Sequence, residues 1–488
     1  MDLRCSGRVT RIRAVAGSQG PAIARTIWEV SMRQRVRFTR RAGVLALIST
    51  LALAAMSCTP GSKVTHKSAP PVPTITGVTE TGPITLTIWD QESGQVSRIW
   101  DQLNTEFEQK YPNVTIKRVN RDFGELKTLL KLAMSGPHPP DVVEANQGWP
   151  DMGQLVKAGL LLPLDNYAKA YGWDQRVSEN VLSVSRWTPD GTQFGTGELF
   201  GYTTMGEIVG VYYNKTILDK LGLSLPTTFA EFEQALATAK QAGEIPIEFA
   251  NSDGFPGIHE FATIQDQTDT ETYLTDFIFG LQGNQLSFDT PENIQAATTI
   301  QDWVNKGYFT PGFGGAGYDD AVNLFAKGEG LFMITGNWIV QNLGAKNTNF
   351  GFFLMPSMQT GGTAVGTGGA GFPLSIAAGS QHPDAAAAYI DWMTSDHAAQ
   401  MLVPTGEIPL ATGVTTSIPT GTVLSDVINA AASASASNAI VPYEDWATPT
   451  FYNTLVAGIQ ELMAMRLTPQ EFVSQVEEDY SKFQSSRA

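Results

Sequence analysis

Hydrophobic positions between residues 84 and 144 switch repeatedly between two periods. In Ile84-Thr-Leu-Thr-Ile-Trp89 every second side chain is apolar, the period of a half-buried strand. Val96, Ile99, Trp100, Leu103 and Phe107 then recur at helical spacing, with Glu106 and Lys110 as an i,i+4 pair on the polar face. Val114 to Val119 predicts a second strand. Leu126, Leu129, Leu130 and Ala133 predict a second helix, stopped by Ser135-Gly136-Pro137. Asp141-Val-Val-Glu144 predicts a short buried strand leading into a loop at Ala145-Asn146-Gln147. Such alternation predicts an open α/β sheet, whose ligands bind beyond the carboxyl ends of the strands.

A second unit begins near Tyr212-Tyr213-Asn214-Lys215. Thr228 and Glu231 form a capping box for a helix through Phe232, Leu236 and Ala239, with Gly243 as its stop. Helical spacing predicts further helices over Thr272–Leu281, Pro291–Lys306, Asp319–Lys327 and Ala385–Thr394, and a last one opened by Thr468-Pro-Gln-Glu471. Phe350–Pro356 and Phe372–Ala378 read as strands. The order predicts two lobes with the chain crossing between them more than once. The expected boundaries are residues 83–205 with 348–380 for the N-terminal lobe, and 206–347 with 381–488 for the C-terminal lobe.

The chain upstream carries an address. From Met32, the block Arg33, Arg35, Arg37, Arg40 and Arg41 precedes an uncharged run, Ala42 to Ala55, which closes on Ala55-Met56-Ser57-Cys58. A basic block, a short apolar run and small residues before the cut describe a secretory signal. The run is shorter than the ~20 apolar residues of a transmembrane helix. A Cys after Ala-Met-Ser resembles a bacterial lipobox, with Ala55 where Leu is usual, so Cys58 is expected to be lipidated. Translation is expected to begin at Met32, and residues 1–57 to be an upstream stretch plus signal. Residues 58–82, rich in Pro, Thr, Ser and Gly, read as a flexible tether on the outer face of the membrane.

Charge sharpens the picture. The net charge of −16 hides ten Arg against two acids in residues 1–57, which leaves 22 basic and 46 acidic residues in the remainder. A body that acidic repels phosphate backbones, so nucleic acid is excluded as a partner. With only Cys5 and Cys58 there is no disulfide framework and no cysteine-based zinc site. No G-x-S-x-G, Walker loop or H-E-x-x-H occurs, and the five His are scattered, so no catalytic residue, metal or cofactor is assigned. Two G-x-G-x-x-G matches, Gly312/Gly314/Gly317 and Gly366/Gly368/Gly371, do not follow a strand and open a helix, as dinucleotide binding requires. What the loops do offer is aromatic and amide side chains: Trp89, Asn146, Gln147, Trp149, Phe255, Trp338, Tyr443 and Trp446. Sugars suit such residues, because their C–H faces pack on rings and their hydroxyls need polar partners.

Several ordered segments resemble the bacterial extracellular solute-binding proteins of sugar ABC importers, the group that includes maltose-binding protein. They are Pro140-Asp-Val-Val-Glu144, Ala158-Gly-Leu-Leu-Leu-Pro-Leu-Asp165, Gly197-Glu-Leu-Phe-Gly-Tyr202, Gly210-Val-Tyr-Tyr-Asn-Lys215, Pro226-Thr-Thr-Phe-Ala-Glu-Phe232, Phe325-Ala-Lys-Gly-Glu-Gly330 and Met333-Ile-Thr-Gly-Asn-Trp338. The similarity runs from about Ile84 to the C-terminus. It implies a two-lobed α/β fold with a hinge and an interlobe cleft, a carbohydrate ligand, permease subunits of an ABC importer as partners, and a monomer.

By the same resemblance Gln91 and Glu92 fall in a region of polar sugar contacts, as do Asn146 and Gln147. Glu207 matches an acid that hydrogen-bonds sugar, and Trp338 a stacking tryptophan. Phe255 stands where Trp or Tyr is common, Gly369 and Gly371 match a glycine-rich ligand-side segment, and Trp446 is carried over as an aromatic contact. Spacing around the first strand and Asn146 differs from maltose-binding protein, so maltose specificity does not carry over. Other readings stay open at this point: a receptor of the same fold for a polyol, glycerol phosphate or polyamine, a secreted carboxylate-pair glycosidase, or a structural surface lipoprotein.

Overall fold

The computed structural model describes residues 64–281, 286–359, 361–411, 414 and 417–487. The signal segment and Cys58 lie outside the described residues. Among the described residues, twelve strands occur in chain order: β1 (Ile84–Asp90), β2 (Val114–Asn120), β3 (Val142–Glu144), β4 (Arg186–Trp187), β5 (Glu198–Leu199), β6 (Met205–Asn214), β7 (Phe332–Gly336), β8 (Phe350–Phe353), β9 (Gly366–Ala370), β10 (Leu374–Ile376), β11 (Ile408–Pro409) and β12 (Ile440–Val441).

The first lobe is built on the sheet β10-β3-β1-β2. β1 is parallel to β2 and β3, so helices must cross between them, and β10 runs antiparallel at the edge. Helix α1 (Gly94–Lys110) buries Val96, Trp100, Leu103 and Phe107 against this sheet, the stripe anticipated from their spacing. Helix α2 (Phe123–Met134) is capped by Asp122, which accepts from Glu125 N–H.

The second lobe centres on β6, which pairs antiparallel with β7, β8, β9 and β11. The capping box at Thr228 forms as expected and opens helix Phe229–Gln241. Pro291–Lys306 is a helix over the whole anticipated span. Gly366–Ala370 is a strand, and although Gly317 stands at the N-cap of helix Tyr318–Ala326 it follows a 3-10 turn at Phe313–Gly315 and not a strand, so neither glycine match has a strand–turn–helix setting.

The lobe boundaries differ from those anticipated. Of residues 348–380, only β10 joins the first sheet, while β8 and β9 lie in the second. Conversely, helices Pro383–Met393 and Asp396–Leu402 pack on α1, where Tyr389 Oη donates to Asn104 Oδ1 at 2.7 Å and Trp392 Nε1 to the Leu103 carbonyl at 2.9 Å. Apolar runs report a strand or a helix but not which sheet receives it. The described part of the expected tether, from residue 64, is not free. It lacks helix and strand, yet Gly77 N–H donates to Tyr171 Oη at 2.9 Å and His382 meets Glu80 at 2.9 Å, which lays it along the first lobe.

Three chain crossings lie side by side between the lobes, at residues 203–204, 371–373 and 403–407. Gly371 N–H donates to the Met205 carbonyl at 2.9 Å, Leu410 N–H to Thr204 at 2.8 Å and Leu374 N–H to Tyr202 at 3.0 Å. A third apolar cluster runs from Trp149 and Trp187 in the first lobe to Phe279, Trp446 and Tyr480 in the second.

Trp173 anchors the first core. It is fully buried, stacks 4.7 Å from Tyr202 and 5.5 Å from Tyr171, and donates from Nε1 to Asp391 at 3.1 Å. Truncating a buried aromatic of this size costs ~3–5 kcal/mol. Trp173→Ala is therefore expected to lower unfolding stability by about that amount in urea titration, and a loss below about 1 kcal/mol would contradict this packing.

Candidate functional site

The carboxyl ends of β1 and β3 open onto one cleft. β1 ends in Asp90, which is fully buried and gripped by the Arg118 guanidinium at 2.5 and 2.7 Å, with Asn120 donating to it at 2.7 Å. That pairing fixes the loop that follows. Gln91 N–H donates to Glu144 Oε2 at 2.8 Å, and Glu92 N–H to Asp90 Oδ1 at 3.1 Å. The Glu92 and Glu144 carboxyls interact, so ionising one opposes ionising the other. Burial pushes Glu92 up to about 7, opposed by its bond to Glu144 and reinforced by the Asp90 charge. Burial, with repulsion from Glu92 and Asp90, pushes Glu144 well above the carboxylate range.

β6 brings Glu207 to the opposing wall. Gly369 is its cross-strand partner, and a Cβ at Gly371 would lie 3.4 Å from Glu207 Oε1. Tyr443 Oη donates to Glu207 Oε2 at 2.9 Å. Burial pushes Glu207 up to about 7, the Tyr443 bond opposes this, and the nearby Glu92 charge adds to it. Glu407, immediately before β11, is driven well above the usual range by burial and then by Glu92 and Glu207.

An aromatic wall adjoins these acids. Trp338 Nε1 donates to Tyr318 Oη at 2.7 Å, and Tyr318 shares a second hydrogen bond of 2.7 Å with Thr335. Phe255 lies 4.9 Å from Tyr318, and the His259 ring 5.5 Å from both Phe255 and Trp338. His259 is buried, makes no hydrogen bond among the described residues, and is held uncharged, its pKa lowered by burial to about 4. From the first lobe, Phe123 meets Phe255 at 6.2 Å and Tyr452 at 6.4 Å, so rings of both lobes touch. Behind Phe123 is a cavity of about 250 Å³ lined by Lys127, Glu144, Asn146, Asp151 and Phe372 among others.

The structure thus gathers Glu92, Glu207, Phe255, Trp338 and Gly371 around one cleft. Gln91 contributes its backbone there, and Asn146 sits at the cavity edge, donating to Asp151 at 2.8 Å. Two candidates are engaged elsewhere. Gln147 is 1% exposed and spends its amide hydrogens on the Ala370 and Gly371 carbonyls at 3.1 and 2.8 Å, so it braces the crossing segment. Trp446 is 2% exposed and packs between Tyr443 and Phe194, because the chain after β12 turns into the apolar cluster between the lobes. Trp149 is likewise core, edge-on to Trp187 at 4.7 Å. Sequence reading missed Glu144, Glu407, His259, Tyr318, Phe123 and Phe372. Of these, only Glu144 carried a signal, as an acid closing a buried strand.

Comparison with known proteins bears on the family and the fold. The model of the bacterial extracellular solute-binding proteins matches residues 92–400. A multiple sugar-binding protein of Streptococcus mutans is 25% identical over 325 residues, covering 63% of this chain and 70% of that one. The melibiose/raffinose/stachyose-binding protein MelE of Bacillus subtilis is 21% identical over 421 residues, covering 83% and 91%. A chitin oligosaccharide binding protein of known structure superposes with a TM-score of 0.72 at 22% identity, covering 83% of this chain and 99% of that one. At that identity the likeness establishes the fold.

The buried acids give a stability signature. Glu92, Glu207 and Glu248 are raised from 4.5 to about 7, Asp266 and Asp269 from 3.8 to about 7, and Asp445 from 3.8 to about 6, each mainly by burial. Between those values the folded chain holds more protons than the unfolded one, so stability falls as pH rises. His259, lowered from 6.5, works the other way as a single group. The melting temperature is accordingly expected to be higher at pH 5 than at pH 8 in scanning calorimetry, and the reverse order would contradict these burial assignments.

Proposed function

The chain belongs to the bacterial extracellular solute-binding proteins, and from that premise we propose that it captures a sugar or oligosaccharide in the interlobe cleft and presents it, by closure of the lobes, to the permease of an ABC importer. The observation that carries this reading is the pairing of carboxyls from both lobes with the ring wall of Phe255, Tyr318 and Trp338. Carboxyl and tyrosine oxygens match sugar hydroxyls, and the rings match sugar C–H faces. The similar proteins from Streptococcus mutans and Bacillus subtilis, by their names sugar-binding, support the same ligand class. The family and the named relatives are binding proteins, which supports a binder, and the reading needs no chemical step.

Closure follows from differential affinity. A ligand that touches both lobes binds the closed arrangement better than the open one, and shifts the population by that difference. The protein supplies its own latch for the closed arrangement. Ser93, at the N-cap of α1, makes no side-chain cap bond. Gln341, carried by the second lobe, caps the helix instead: its Oε1 accepts from Gln95 N–H at 2.7 Å and Val96 N–H at 3.4 Å. Orphan N–H groups at a helix start need such an acceptor, and here the other lobe supplies it, so we propose that opening the lobes breaks this bond.

No helix among the described residues is long and apolar enough to cross a membrane. Attachment is assigned to lipid on Cys58, after cleavage of the signal beginning near Met32, which leaves the body outside the cytoplasm. A monomer completes the reading.

A thermal-shift screen of mono- and oligosaccharides, polyols and polyamines tests the assignment. Saturation at a hundredfold excess over Kd stabilises the folded state by ~2.7 kcal/mol, which is readily visible. A saccharide is expected to give the shift, with Trp338→Ala weakening binding about tenfold or more and Gln341→Ala about fivefold, as two hydrogen bonds worth ~0.5–1.5 kcal/mol each are lost from the closed state. A shift with a polyol or polyamine alone would replace the ligand class.

A further inference from the structure

Two acid pairs lie at the meeting of the lobes, beside the segment 371–374: Glu144 is the cross-strand partner of Leu374, and Glu207 lies against Gly371. In the first pair, Glu144 is 2% exposed and accepts from Gln91 N–H at 2.8 Å, and Glu92 is the next residue along that loop. In the second, β11 pairs antiparallel with β6 at Ile408↔Gly206. Continuing that register by one residue sets Glu407 opposite Glu207, so both side chains leave the sheet on the same face. Glu92 is within electrostatic reach of both.

The bases nearest these acids are turned to other groups: Arg121 lies 4.7 Å over the Trp89 ring and reaches Glu125 at 3.5 Å, with its Nε unpartnered among the described residues. Arg118 holds Asp90 and Asp101 and donates to the Ser97 carbonyl. Lys127 pairs with Asp151 and lies 4.2 Å over the Tyr452 ring. His259 is buried, uncharged and without a hydrogen-bond partner among the described residues, on the ring wall beside the acids. Like charges placed directly opposite destabilise a sheet, and two adjacent carboxyls cannot both ionise without a large penalty.

A neutral hydroxyl leaves that repulsion in place, and an anionic group adds to it. A protonated amine removes it. It offers three charge-assisted hydrogen bonds to carboxylate acceptors, and a ring wall of Tyr318, Trp338 and Tyr443 attracts a cation further. Resting on the saccharide-receptor reading above, we propose that the cleft selects saccharides carrying a free amino group, whose ammonium sits between the Glu92–Glu144 and Glu207–Glu407 pairs.

Binding then displaces the protons the pairs hold. The folded-state values of about 7 for Glu92 and Glu207 place that exchange between pH 6 and 8, where His259, lowered to about 4, stays uncharged.

Isothermal titration of the purified protein with matched di- to tetrasaccharides of glucose, glucosamine and glucuronic acid, at pH 7, tests this. The amino series is expected to bind at least tenfold more tightly than the glucose series, and the uronic series most weakly. Amine binding is expected to release protons, read as a dependence of the heat on buffer ionisation enthalpy. Glu407→Gln is expected to lower the amine-to-glucose ratio at least fivefold, and Glu92→Gln, in a loop of the other lobe, to do the same independently of any folding defect in the first variant. Glucose oligomers binding as tightly as the amines, or an amine preference untouched in both variants, would overturn the selectivity while leaving the receptor reading intact. Binding of none of the three series would overturn both.

Discussion

Side by side between the lobes run three stretches of chain, at 203–204, 371–373 and 403–407, and their mutual hydrogen bonds constrain everything around the cleft. Thr204, Met205, Gly371 and Leu410 are tied main chain to main chain, so the crossings move as a seam and not as separate tethers. Gln147, from the loop after β3, locks onto the same seam through the carbonyls of Ala370 and Gly371. Glu207 and Glu407 leave the seam by two and no residues respectively. Their positions are therefore set by the hinge itself, and any rotation about it moves Glu92 relative to both. Gly371 shows how tight the arrangement is, because a side chain there would press on the Met205 carbonyl and on Glu207.

Parts of this were legible in the sequence for definite reasons. The first βαβ unit was readable because Ile84 to Trp89 and Val96 to Phe107 each keep one period over a full element, and the capping box at Thr228 because its chemistry is local. Glu207, Trp338 and Phe255 were nominated through resemblance to a family. Pairing across long separations was not legible. Nothing in Phe350–Phe353 says that its partner is β6, and nothing in Ala385–Ile390 says that it packs on α1. Tyr318, His259 and Glu407 were missed for the same reason, since each becomes a cleft residue only through the register of another strand or helix. Gln147 and Trp446 failed in the opposite sense. Amide and indole groups look like ligand contacts in a list of loop residues, until the fold spends them on the crossing segment and the interlobe core.

The cleft therefore combines two unlike demands. Its rings are satisfied within the protein, with Trp338 held by Tyr318 and Tyr318 by Thr335, which pre-orients the wall before any ligand arrives. Its acids are not satisfied in the same way. Among the described residues only Tyr443 donates to Glu207, and Glu144 accepts one backbone N–H, that of Gln91. Buried carboxyls without bases are a cost to folding, and a cost retained at the meeting of two lobes is what a ligand relieves on closure. The Gln341 cap on α1 is a hydrogen bond between the lobes made by the protein itself.

Closure is the central claim, and an interlobe distance reads it directly. Cys5 and Cys58 are the only cysteines, so labels at Leu132→Cys on α2 and Asp320→Cys in helix Tyr318–Ala326 report cleanly once Cys58 is lipidated or removed. Leu132 is 75% exposed and Asp320 is exposed, which keeps both labels clear of the packing. Pulsed electron–electron resonance is expected to show a broad, longer distance without ligand and a shorter, narrower one at saturation. An identical distribution with and without a saturating saccharide would contradict the account.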